Sequence, residues 1–412
     1  MDEERIERAL RQGPPDEPAY EQSVAAQVRT ASADSQDGAG PEAVYRGAVR
    51  RAGVSSRFGF ATVVAAAVVV LAFAIAVVRP LGVGPGSSTP AIASASPGSS
   101  AAPTMGVDES WIAYEGPLPG DGISLVRPDR TDPHAVLPGA RYDAHHPDWS
   151  PDGAQIAFDA ETPDGNEIWV VNADGTNAAA IVRRSTDCAI SCGDVALPAW
   201  SPDGSKIAFV RFQLGRSGLE AAVIEVQDVA SGDRRVLYTA PSKTALNYPR
   251  WSSDGRSIVF EMTRYPDTQI KLGTATGSAI AVIDVVGEGA QPVVLTDWSM
   301  YATYPDWRPG SDEILFSTYD LDEFQATDEP SNLYTIKADG SGQTALTTFG
   351  KAGQRATQPT WTPDGSRIIF TLVGQRAGVD DSLHAAFIEG NGSNIVDIGV
   401  AATHPRLRPG TP

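Results

Sequence analysis

The string His-Pro-Asp-Trp-Ser-Pro-Asp-Gly-Ala-Gln-Ile-Ala-Phe, residues 146–158, returns four more times along the chain, and this period restricts the fold more than any other feature. The copies centre on Trp149, Trp200, Trp251, Trp307 and Trp361, spaced 51, 51, 56 and 54 residues apart. Each has a proline two residues before its tryptophan and a phenylalanine nine residues after it. Asp-Gly between the two aromatics supplies the positive φ that a tight hairpin requires. A second Asp-Gly stands between β-rich runs in residues 167–182 and 332–346. Each repeat therefore reads as four short antiparallel strands, A to D, which is a propeller blade. A β-sandwich does not regenerate one four-part pattern five times.

The ends of the repeat region complete one another. Residues 109–116 (ESWIAYEG) read as a strand B without its strand A, followed by GISLVRP as C and HAVLP as D. Residues 404–410 (HPRLRPG) read as a strand A with Leu407 in the tryptophan place. Joining them predicts a sixth blade that seals the ring and covers both sheet edges. The expected fold is an all-β, six-bladed β-propeller over residues 109–410, closed by the C-terminal strand.

Three segments precede it. Residues 1–57 are polar and read as a largely disordered cytoplasmic tail. Residues 58–78 hold 21 residues without a charge, enough to span a bilayer as one helix. The segment is internal and meets Arg79-Pro80, so it does not read as a cleaved signal peptide. Arg46, Arg50, Arg51 and Arg57 flank its N-terminal side against Arg79 alone beyond it. That asymmetry places the tail in the cytoplasm and the propeller outside, in a single-pass chain of the cell membrane. Residues 79–108, rich in Pro, Gly, Ser and Ala, read as a flexible tether.

Composition excludes some functions. A net charge of −19 argues against a nucleic-acid partner. The only two cysteines, Cys188 and Cys192, cannot build a disulfide scaffold; outside the membrane they are expected to close one small loop. No Gly-x-Ser-x-Gly elbow occurs, so no hydrolase is indicated. The acidic run Asp320, Asp322, Glu323, Asp328 and Glu329 lacks EF-hand spacing and reads as a solvated loop.

Candidate binding residues follow from the blade pattern. Long segments read as irregular, at 185–196, 212–220, 263–277, 318–332 and 374–382, fall on the face of the B–C and D–A connections, which points to recognition there. The residue three before each tryptophan enters strand A near the channel. Around the ring these are His146, Leu197, Tyr248, Tyr304, Gln358 and His404. His146, Tyr248, Tyr304, Gln358 and His404 form a candidate ligand-binding ring. His146, Gln358 and His404 are neighbours, and imidazole with an amide oxygen suits a divalent transition metal. A water-filled polar channel is the alternative. His134 and His145 are expected at the surface.

The motif Pro-x-Trp-Ser-Pro-Asp-Gly-x-x-Ile-Ala-Phe resembles the WD40-like β-propeller (PD40) repeat of the TolB family of bacterial envelope proteins. The resemblance covers about residues 109–410. Ser253 replaces the motif proline in one copy, and Gly310-Ser311 replaces Asp-Gly in another. Nothing before residue 109 resembles the N-terminal domain of TolB. The order of tail, span, tether and propeller is similar to membrane-anchored sensors or anti-sigma-type regulators. The tether, the long segments on one face and the lack of a complete catalytic set point to a non-catalytic, membrane-anchored propeller that binds a protein or other envelope ligand and needs no cofactor. Related propeller lyases that hold a metal with His and Gln imply the alternative, a metal-dependent enzyme acting on a polysaccharide. A sensor signalling through the N-terminal tail is the third possibility.

Overall fold

The I-A-F run of each repeat does not alternate polar and apolar residues, and the computed structural model of the protein gives the reason. It describes residues 110–410 apart from 117–121, 138–142, 184–192, 216–217, 267–274, 288, 319–330, 350–353 and 377–378. Ile156, Ala157 and Phe158 are all fully buried, as are Ile207, Ala208 and Phe209. Each second strand is packed on both faces, because one blade stacks on the next. A strand covered on both sides reads as a continuous apolar run.

The first blade contains β1 (Ile112–Glu115), β2 (Ile123–Val126) and β3 (His134–Ala135), and the second contains β4 (Asp143–Trp149), β5 (Gln155–Thr162), β6 (Gly165–Asn172) and β7 (Ala179–Val182). The third holds β8 (Asp194–Trp200), β9 (Lys206–Gly215), β10 (Gly218–Asp228) and β11 (Arg234–Thr239). The fourth holds β12 (Thr244–Trp251), β13 (Ser257–Arg264), β14 (Gly277–Asp284) and β15 (Val293–Val294). In the fifth are β16 (Ala302–Trp307), β17 (Glu313–Thr318), β18 (Leu333–Lys337) and β19 (Thr344–Ala345). The sixth comprises β20 (Arg355–Trp361), β21 (Arg367–Arg376), β22 (Val379–Glu389) and β23 (Val396–Ala401). The last strand, β24 (Thr403–Leu407), joins β1 as the fourth strand of the first blade. All six sheets are four-stranded and antiparallel.

The closure has its own contacts. Ile112 pairs with Leu407 and Ala113 with Arg406. The Arg408 N–H donates to the Trp111 carbonyl at 2.7 Å, and Arg408 Nε donates to the Gly153 carbonyl at 2.8 Å. A Cβ on Gly153 would stand 2.9 Å from both Arg408 Nε and the Pro409 carbonyl, so only glycine admits this contact. Elsewhere tryptophans tie neighbouring blades. Nε1 of Trp149 donates to the Arg406 carbonyl, Trp251 to Ala199 and Trp307 to Arg250, at 3.2, 3.2 and 3.1 Å.

The A–B turns bear out the Asp-Gly reading. Gly153, Gly204, Gly255 and Gly365 have φ between 65° and 69°. In the Trp307 copy the left-handed residue is Gly310, one place earlier in the turn, with φ 67°. The N–H of Gly310 donates to Ser253 Oγ at 2.9 Å, so the two departures from the motif meet.

Two of the five long segments are not irregular. Residues 212–220 and 374–382 continue the β9–β10 and β21–β22 hairpins, whose strands reach 10 and 11 residues. Only residues 216–217 and 377–378, between the paired strands, lie outside the described residues. The tail, apolar run 58–78 and tether, Cys188, Cys192 and the acidic run 320–329 also lie outside the described residues. Among the described residues no helix is long and apolar enough to cross a membrane.

Candidate functional site

All six residues that stand three before the tryptophan position adopt a left-handed backbone. The φ values are 53° at His146, 61° at Leu197, 50° at Tyr248, 52° at Tyr304, 54° at Gln358 and 48° at His404. Each is followed by a proline, and each lies within a register shift of strand A against strand B. A positive φ costs a non-glycine residue about 1–3 kcal/mol, and proline disfavours the helical region for the residue before it. The bulge repays that cost by re-aiming side chains. Residues 248 and 250, or 358 and 360, then line the same cavity, although they flank a proline.

Acceptors from the preceding blade hold the bulges. Asp159 Oδ1 accepts the Leu197 N–H at 2.9 Å, and Gln358 Oε1 accepts the His404 N–H at 3.0 Å. Glu115 Oε2 stands 3.5 Å from the His146 N–H, and Glu261 accepts from the Tyr304 backbone. Glu115, Asp159 and Glu261 all occupy the position immediately after the aromatic of strand B. Sequence reasoning passed over that position, although carboxylates directly after an Ile-x-aromatic run were its signal.

The rings meet across the axis. Tyr248 and Tyr304 have centroids 4.3 Å apart, His146 and His404 4.6 Å, and Tyr304 and His404 5.7 Å. They leave a void of about 20 Å³, room for one water-sized atom. One layer along lie Asp148, Arg250, Asp306, Thr360 and Arg406. Arg406 Nη1 is 3.2 Å from Asp148 Oδ1. Arg250 Nη1 donates to the carbonyls of Pro198 and Pro249, while its buried Nε has no partner. Burial, with the charge of Arg406, pushes Arg250 down to about 10, and burial raises Asp306.

His145, expected at the surface, is half-buried and engages another blade. Its Nδ1 lies 2.8 Å from Glu115 Oε1. Burial works against its charge, but Glu115, Asp159 and Asp143 outweigh burial and raise it to about 9. Burial likewise opposes ionisation of Glu115, yet the charge and hydrogen bond of His145, with His404 close by, hold it well below the usual carboxylate range. His146 Nδ1 is 2.9 Å from Asp159 Oδ1. His404 is pushed down to about 4, chiefly by burial, and is neutral at pH 7. His134, half-buried, sits edge-on to Trp111 with centroids 5.2 Å apart.

Of the three candidate metal ligands, His146 and His404 are brought together. Gln358 is beside them, but its Oε1 already accepts from the His404 N–H and from Thr371 Oγ1 at 2.8 Å. Glu115 completes the group instead. One donor atom from each of Glu115, His146 and His404 lies within 4.8 Å of the others. Tyr248 and Tyr304 supply the aromatic wall, and Leu197 a buried apolar segment of the ring.

No protein-family model matches the chain. It is 28% identical over 178 residues to an uncharacterized protein of Agrobacterium fabrum, covering 42% of this chain and 52% of that protein. It is 38% identical over 74 residues to the Tol-Pal system protein TolB of Methylococcus capsulatus, covering 18% of this chain and 15% of TolB. The chain thus matches about half the length of the first relative and a small part of the second. The crystal structure of TolB from Acinetobacter baumannii superposes with a TM-score of 0.53 at 16% identity, over 74% of this chain and 67% of that one.

Proposed function

Because the chain carries a TolB-like six-bladed β-propeller, we propose that it is a membrane-anchored, extracytoplasmic binding protein that takes a protein of the cell envelope at its channel ring. The observation that carries this reading is the ring itself. His146, Tyr248, Tyr304 and His404 gather four rings around one axis, and aromatic side chains dominate the centres of protein-recognition surfaces. The same packing leaves no room to thread a polymer, which weighs against catalysis on a polysaccharide inside the channel. The hairpins of the third and sixth blades add walls beside it, two residues longer than β5 and β13, or about 7 Å of extra strand.

Two measurements test this reading. A photo-crosslinking residue in place of Tyr248, in the full chain in its cell membrane, is expected to capture one discrete envelope protein. The same residue at Val293, exposed on the outer strand β15, is expected to capture none. Equal patterns from both positions contradict a channel site. Protease added to spheroplasts is expected to digest residues 109–410 and spare residues 1–57. The reverse outcome contradicts the topology.

A further inference from the structure

We propose that Glu115, His146 and His404 form a binding site for a divalent first-row metal ion at the propeller axis, with Asp159 and His145 as positioning residues. The site does not depend on which partner the propeller takes. Two imidazoles and one carboxylate are the donor set of metal centres that keep open coordination positions.

Four observations converge on it. First, the donors are already gathered, within 4.8 Å of one another. Glu115 Oε2 and His404 Nδ1 are 3.3 Å apart, close to the edge of about 3.4 Å that a tetrahedron with bonds near 2.05 Å requires. Second, both nitrogens of His404 are buried without a hydrogen bond; the approach to Glu115 lacks hydrogen-bond geometry. A buried polar group without a partner calls for a water or an ion, and the adjoining void of about 20 Å³ has room for either.

Third, the supporting contacts are those of a metal site. Asp159 engages His146 at Nδ1, which leaves Nε2 to offer, as carboxylates orient ligating histidines. His145 engages Oε1 of Glu115 and leaves Oε2 facing His404. Fourth, the two arginines that line the same cavity have carboxylates beside them: Arg406 Nη1 lies 3.2 Å from Asp148 Oδ1, and Asp148 and Asp306 offset the charge of Arg250. The three ligands come from β1, β4 and β24, so only the closed ring assembles them.

The test uses the purified, tag-free full chain, stripped with a chelator and titrated with Co²⁺, followed by its visible absorption and by competition with Zn²⁺. One equivalent is expected to bind per chain, far tighter than about 1 mM. Glu115→Gln, His146→Gln and His404→Gln are each expected to lose about 100-fold in affinity or more, and Asp159→Asn 10–100-fold (about the cost of removing an orienting partner). His404→Gln also touches ring closure, so Glu115→Gln and His146→Gln decide the matter if it does not fold. The proposal is overturned if the wild-type chain shows no saturable equivalent. It is overturned equally if Glu115→Gln and His146→Gln melt like the wild type and bind Co²⁺ unchanged.

Discussion

Asp159 Oδ1 lies 2.9 Å from His146 Nδ1 and 2.9 Å from the Leu197 backbone nitrogen. One oxygen thus fixes the imidazole of its own blade and the left-handed bulge of the next. The carboxylate is buried, so its loss leaves a buried N–H and a half-buried ring nitrogen without this partner. Asp159→Ala is expected to cost about 2–4 kcal/mol of stability, at roughly 1–3 kcal/mol for each group left unsatisfied. Asp159→Asn keeps an acceptor oxygen and is expected to cost less than half as much. Urea unfolding of the two variants measures the difference; equal costs contradict the dual role.

Ring closure rests on β24. Deleting residues 403–412 removes its pairing with β1 and the contacts of Arg408 to Trp111 and Gly153. Two sheet edges are then exposed, and exposed edges aggregate. The truncated chain is expected to be insoluble or to melt at least about 10 °C lower, the shift that several kcal/mol produces in a domain of this size. An unchanged melting temperature contradicts closure by this strand.

The fold was legible because the motif residues do one job in every copy. Phe158, Phe209, Phe260, Phe316 and Phe370 are each wholly buried at the same place in the blade. Closure was legible because residues 109–116 and 404–410 are fragments of that same pattern. The site was only half legible. His146 and His404 were found through their place before the tryptophan. Glu115 was not, because 288 residues separate it from Thr403, whose Oγ1 donates to the Glu115 carbonyl. Nor does sequence announce the bulge, since a residue before proline is ordinarily extended. His145 read as a surface residue because its partner, Glu115, comes from another blade.

The A–B turns make stability depend on acid. Ser201 Oγ donates to Asp203 at 2.6 Å and Thr362 Oγ1 donates to Asp364 at 2.5 Å. These bonds, with the N–H and hydroxyl of Ser205 and Ser366, lower both carboxyls to about 2. A depressed folded-state pKa contributes stability above the unfolded value of about 3.9, which is lost as pH falls towards 2. Both groups are largely exposed, so each is worth no more than about 1 kcal/mol. The double variant Asp203→Asn/Asp364→Asn is expected to melt below the wild type at pH 7, with the gap closing by pH 2. A gap that persists at pH 2 contradicts the role of the ionised carboxylates.

The closed ring assembles Glu115, His146 and His404 into one site. Anomalous diffraction at the zinc edge, from crystals of this chain grown with Zn²⁺, tests that directly. The predicted result is one strong peak on the axis, within about 2.0–2.2 Å of a Glu115 oxygen and of one nitrogen each of His146 and His404. Zinc bound elsewhere in the channel with none at these three residues, or a channel without any anomalous peak, would contradict it.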